Sequence, residues 1–150
     1  MNVTINQVLN WHFVVTNEMG SVQYVRIVYR LGNSSTAAPT SDEPSTAACI
    51  SELLTPNCLE TDVFIPPGRE ADPVFTWSIQ SENVTVGVTR LHLLVNGRQF
   101  SSSVGAVNGR NFRFIFELWT FDQASNSFQY GWQGSSSRAG TWLQVWFNAG

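Results

Sequence analysis

Asn108-Gly109-Arg110-Asn111-Phe112-Arg113-Phe114-Ile115-Phe116-Glu117-Leu118-Trp119-Thr120-Phe121-Asp122 is the stretch on which the reading of this chain turns. Asn-Gly is the strongest short signal for a tight hairpin, because both central residues of a type I′ turn need positive φ. Behind it, Phe112, Phe114, Phe116 and Leu118 fall on one side of an extended chain, with Arg113, Ile115, Glu117, Trp119 and Phe121 on the other. Apolar residues on both sides predict a strand covered on both faces. A second Asn-Gly, Asn96-Gly97, precedes it by twelve residues, so 84–95, 98–107 and 111–122 are expected as a three-stranded meander.

The same period of two extends in both directions. In 9–16, Leu9, Trp11, Phe13 and Val15 alternate with Asn10, His12, Val14 and Thr16. After the turn residues 17–21, the segment 22–31 places Val25, Ile27, Tyr29 and Leu31 opposite Arg26 and Arg30, so the first two strands are expected to form a hairpin. Further strands are expected at 74–80, 127–133 and 141–147. The six prolines all fall in 33–73, a long excursion in which 47–54 suggests a helical turn or two. Within that excursion, 62–65 suggests a short strand stopped by Pro66-Pro67-Gly68. Eight or nine strands without a convincing amphipathic helix predict an all-β fold. The expected form is one antiparallel two-sheet β-sandwich domain over 1–150, jelly-roll-like, with the Pro-rich loop excursion inside it.

The chain has 150 residues, enough to bury a full core, and charged residues make up only 13% of it. All eight positive side chains are arginines, scattered along the sequence, and the net charge is -3. No basic arm supplies the counterion release that drives nucleic-acid binding, so no nucleic-acid partner is expected. No apolar run approaches the length of a spanning helix, so no membrane insertion is expected. The first residues lack the basic start and apolar core of a signal peptide. The expected location is a virion or the extracellular side.

Cys49 and Cys58 are nine positions apart, and a disulfide between them would stabilise the fold by about 2 to 3 kcal/mol. Two unpaired thiols are the equal alternative. No metal or cofactor is expected, since neither histidine is near the cysteines and lysine, which a P-loop needs, is absent. Sequons at Asn2, Asn33 and Asn83 are no more than the Asn, Ser and Thr content produces by chance. There is no G-x-S-x-G elbow, and His12 and His92 are read as ordinary strand histidines. The close carboxylates Asp42-Glu43, Glu60 with Asp62, and Glu70 with Asp72 read as loop charges, while Glu117 shares a face with Arg113. No enzymatic activity is expected.

The C-terminal third is the unusual part. Trp119, Phe121, Phe128, Tyr130, Trp132, Trp142, Trp146 and Phe147 surround a run containing Gly131-Trp132-Gln133-Gly134 and Arg138. In the last strand Trp142, Gln144, Trp146 and Asn148 share one side, with Leu143, Val145 and Phe147 expected toward the core. Trp132, Trp142, Trp146, Tyr130, Arg138 and Gln144 are therefore the candidate binding or interface residues, since outward aromatics beside amides and arginine serve sugar rings and protein contacts alike. Full coverage within the domain is the third alternative for the tryptophans.

In texture this lysine-free, Asn/Ser/Thr/Gly-rich, aromatic-rich chain resembles the jelly-roll structural and attachment domains of viruses and phages. That resemblance implies a capsid-surface, decoration or receptor-binding spike domain that forms homo-oligomers or contacts other capsid proteins. A glycan or cell-surface receptor is the further partner in view. The alternative is a lectin or carbohydrate-binding module that stacks its exposed tryptophans on sugars.

Overall fold

The structure, a computed structural model, describes residues 1–50, 59–134 and 136–150. Fifteen strands form four separate sheets among these residues. The largest has seven strands: β1 (Asn2–Val3), β4 (Gln23–Asn33), β5 (Ala48–Cys49), β6 (Glu60–Ile65), β11 (Phe112–Asp122), β12 (Ser127–Tyr130) and β15 (Thr141–Ala149). They lie in the order β1-β15-β11-β4-β5, with β6 also paired to β4 and β12 to β11. The second sheet has four strands in the order β10 (Arg98–Val107), β9 (Val88–Val95), β8 (Val74–Thr85) and β2 (Leu9–His12). Two short ribbons complete the fold, β3 (Val15–Thr16) with β7 (Glu70–Ala71) and β13 (Trp132–Gln133) with β14 (Arg138–Ala139).

The expected two-sheet jelly roll of eight or nine strands is therefore corrected, since none of the four sheets is closed or curled. The second sheet is built mainly from consecutive hairpins, where a jelly roll interleaves two Greek keys. Nor is the pairing antiparallel throughout, because β1 runs parallel to β15.

The core lies between the two larger sheets. Ile27, Tyr29 and Leu31 of β4, with Phe112, Phe114 and Phe116 of β11, meet Phe75, Trp77 and Ile79 of β8 and Leu91, Leu93 and Val95 of β9. Aromatic rings dominate this contact. Phe75 has its centroid 5.1 Å from Phe114 and 5.0 Å from Phe116, both edge-on, and Trp77 meets Phe147 at 4.8 Å. Edge-to-face contacts of this kind add about 0.5–1.5 kcal/mol each beyond the apolar area they bury.

Two hairpin expectations fail for the same reason. The first two strands do not pair: β2 joins β8, whereas β4 sits between β11 and β6. The buried Asn17 governs the divergence. Its side-chain amide donates to the carbonyls of Ser21 and Ile65, its Oδ1 accepts from the Met19 N–H, and its backbone carbonyl accepts from Gly68. Asn108-Gly109 likewise has positive φ at both residues, yet it carries the chain from β10 in one sheet to β11 in the other. A left-handed turn sets only a local change of direction, and which strand receives it depends on the partners at hand. The excursion 33–73 is also less loop-like than expected, since it contains β5, β6 and β7. The expected helical turn at 47–54 is strand at Ala48–Cys49, and 51–54 lies outside the described residues.

One turn has no sequence signal. β8 and β9 pair through Thr85↔Val88 across Val86-Gly87, with φ of 50° and 73°. A β-branched residue at positive φ is a backbone outlier, and Val86 is 97% exposed, so packing gives nothing back. The register slip between Ile79 and Ser81 breaks the alternation along the same strand, so 74–80 and 84–95 read as separate strands. Val86→Asn should relieve the left-handed strain and stabilise the fold by about 1 kcal/mol. A thermal melt should show a midpoint raised by about 2–4 °C; an unchanged or lower midpoint would count against strain at this turn.

Candidate functional site

Alternation along the central strand of the larger sheet puts charged residues on the face away from the core. Glu117 is fully buried there, with its Oε2 3.0 Å from Arg30 Nε in a charge-to-charge contact rather than an aligned hydrogen bond. Glu117 Oε1 accepts the Ser45 N–H at 2.6 Å, and Oε2 accepts the Trp119 indole N–H at 3.1 Å. Arg30 also donates to the Ala47 carbonyl. Four residues earlier on the same face of β11, Arg113 donates to Gln144 Oε1 at 2.5 Å and to the Thr36 carbonyl, while its guanidinium lies 4.7 Å from the Trp146 ring. Arginine and glutamate thus hold the segment 36–47 over this face.

Each sequence-derived candidate has a distinct place. Tyr130 is buried and donates its hydroxyl to the Thr40 carbonyl, and burial together with the negative Glu117 pushes its pKa up to about 12. Arg138 turns inward and donates to Thr120 Oγ1 at 3.0 Å and to the Gly131 carbonyl at 3.1 Å. Gln144 accepts from Arg113. These three hold the fold together and present little to a ligand. Trp132, Trp142 and Trp146 remain 40%, 36% and 39% exposed. Leu143 corrects the expectation of a core position: it is 42% exposed, whereas Phe147 is buried and Val145 packs against the core.

Trp132, Trp142 and Leu143 come together at a groove of about 890 Å³. Val25, Ile27, Ile65, Phe116 and Leu118 also line it, as do Phe13 and Val14. The anchored ribbon β13–β14 delivers Trp132 to this place. Gly131, just before it, has φ 73° and crowds the Ala139 carbonyl so closely that no Cβ fits. The sequence pattern identified the tryptophans but not the groove, since the segment 13–19 that lines it was assigned to a strand and an ordinary turn.

A second aromatic group lies on the outer side of β4 and β6. Tyr24 stacks on Phe64 at 4.1 Å, and the Arg26 guanidinium lies 4.0 Å from the Phe128 ring. Arg26 donates to both oxygens of Asp62 at 2.8 Å. These bonds, helped by one from Tyr24, hold the Asp62 carboxyl below the usual aspartate range.

The two histidines stand apart in sequence and in sheet position. His12 Nδ1 lies 3.0 Å from Asp72 Oδ2, and His92 Nδ1 lies 2.8 Å from Ser101 Oγ, both at exposed positions. Among the described residues no group of three or more His, Cys, Asp or Glu gathers as a metal centre. No helix there is long and apolar enough to cross a membrane. Cys49 is disulfide-bonded, and Cys58 lies outside the described residues. No protein family, curated protein or solved structure matches this chain.

Glu117→Gln should cost about 3 kcal/mol in urea unfolding, because Arg30 is then left charged, largely buried and without its counter-charge. A loss below about 1 kcal/mol would show that water or neighbouring carbonyls already satisfy Arg30. Asp62 titrates lower folded than unfolded, so its contribution is complete above the ordinary aspartate pKa of about 3.9 and vanishes as pH falls through the lowered folded value. Asp62→Asn should therefore destabilise by about 1 kcal/mol at pH 7, and the difference from the parent chain should close as pH falls through the lowered folded value. A difference that persists in acid would refute the ionic origin.

Proposed function

We propose that this chain is a non-enzymatic structural and attachment domain that joins macromolecules through its tryptophan-bearing end. The carrying observation is that half-exposed Trp132, Trp142 and Leu143 converge on one apolar-floored groove. Large aromatics at the margin of a depression with an apolar floor have the anatomy of binding hot spots, where a few side chains carry most of an association energy. Assembly into homo-oligomers or with other structural proteins uses such surfaces. The placement in a viral or phage particle, or otherwise outside the cell, belongs to this proposal and rests on the lysine-free, polar-uncharged composition alone. The part of the earlier likeness that depended on a jelly roll has lost its support. The non-enzymatic reading draws on the separation of the two histidine pairs and on the structural employment of Glu117.

One observation favours a second reading, sugar binding in the manner of a carbohydrate-binding module. Trp132 and Trp142 flank the groove together with Gln133, and indole faces beside a planar amide suit pyranose rings. Light scattering combined with tryptophan fluorescence separates the two. An oligomer that Trp142→Ala weakens at least tenfold, with emission unmoved by oligosaccharides, is the expected result. A strict monomer whose emission shifts saturably with an oligosaccharide would replace assembly by the sugar reading, and turnover abolished by His92→Ala would overturn both.

A further inference from the structure

The last strand has an open edge. β15 pairs with β11 along Thr141–Phe147, but on its other side β1 pairs only with Asn148 and Ala149 among the described residues. The bonds to that side identify which backbone groups face it. Trp146 offers its carbonyl to the Met1 ammonium at 3.3 Å, and the Asn148 N–H donates to the Met1 carbonyl at 2.8 Å. Even-numbered residues therefore point their N–H and C=O groups away from β11. By the alternation of a strand, Trp142 and Gln144 present theirs to the same open side.

Natural edges are blunted by charge, proline or a bulge. Thr141-Trp142-Leu143-Gln144-Val145-Trp146-Phe147 contains no charged residue, proline or glycine, and its pairing with β11 runs without a register break. The sequence is also nearly symmetric about Gln144: leucine and valine flank it at one step, tryptophans at two steps.

We infer that the open edge of β15 pairs antiparallel with the same strand of a second copy of this chain, about a two-fold axis at Gln144. This rests on the reading of the tryptophan-bearing end as an assembly surface, and it names the partner and the register. The two Gln144 residues face each other and exchange N–H···O bonds, Trp142 of each copy lies opposite Trp146 of the other, and Leu143 lies opposite Val145. Each match places like chemistry on like chemistry, which is the requirement of an isologous contact. The backbone parity read from Met1 is the parity this axis needs, since the central residue must belong to a hydrogen-bonded pair. Met1, whose ammonium holds the Trp146 carbonyl, ends the ladder there and limits the pairing to the segment from Trp142 to Trp146, with the Trp146 N–H left for the partner. A contact confined to one short strand pair falls at the small end of specific interfaces, so the dimer is expected at micromolar concentrations.

Three variants test the register. Directly opposed residues of a hydrogen-bonded pair have Cα atoms about 5.5 Å apart, inside disulfide range. Gln144→Cys should give an oxidised dimer on a non-reducing gel, while Leu143→Cys and Val145→Cys, each displaced from its own copy across the axis, should not. Light scattering of the parent chain should show a concentration-dependent rise toward twice the 16.7 kDa monomer. Leu143→Lys, which adds a charge to the edge at an already exposed position, should remain monomeric with an unchanged circular dichroism spectrum. A parent chain that stays monomeric up to millimolar concentration would overturn both this pairing and the homo-oligomer part of the assembly reading. A dimer that survives Leu143→Lys, or cross-links equally at positions 143, 144 and 145, would overturn the pairing alone.

Discussion

The buried carboxylate of Glu117 is the constraint on which the outer half of this molecule depends. A charge removed from water at the centre of the largest sheet must be compensated on the spot, and Arg30, Ser45 and Trp119 together do so. Because Ser45 belongs to the Pro-rich excursion, neutralising the charge also pins that segment across the sheet. Arg113 repeats the arrangement one step along, bonded to Thr36 of the excursion and Gln144 of the last strand. The outer face of β11 is thus closed by a polar lid, whereas its inner face is closed by aromatic packing.

This division explains how so few charges support the fold. The core between the two larger sheets is held by rings meeting at about 5 Å, which is strong but indifferent to register. Directional contacts supply what packing lacks. Asn17 ties four backbone groups at the corner where 13–19 departs, and Arg138 ties the loop carbonyls beneath β13. Both lie beside the groove, so its walls are set by hydrogen bonds while its floor is apolar.

Strand periodicity was legible wherever one face was apolar and the other polar. Val25, Ile27, Tyr29 and Leu31 are buried against the core, and the faces of β11 separate as their alternation implies. Sheet membership was not legible. Leu9 to Thr16 reads as one strand, yet the chain divides it between two sheets, β2 and β3. Val86-Gly87 makes a tight turn that no propensity favours, and Asn108-Gly109 makes a turn that closes no hairpin. For the site, the exposed tryptophans were visible in the pattern of β15, but Tyr130, Arg138 and Gln144 were indistinguishable from surface groups until their partners were known. Polar side chains show the same letter whether they face water or a buried carbonyl.

By itself, the sequence determined the extended character of the chain, the side-chain faces of the long strands and the gathering of indoles near the C-terminus. These follow from local rules, since alternation and turn chemistry act between residues a few positions apart. Tertiary structure alone decided that there are four sheets rather than two, that the proline-rich segment covers charges, and that Leu143 stands beside tryptophans at a groove. Those outcomes depend on pairings such as Ser45 with Glu117, 72 residues apart, whose energies arise only when distant strands are already in place.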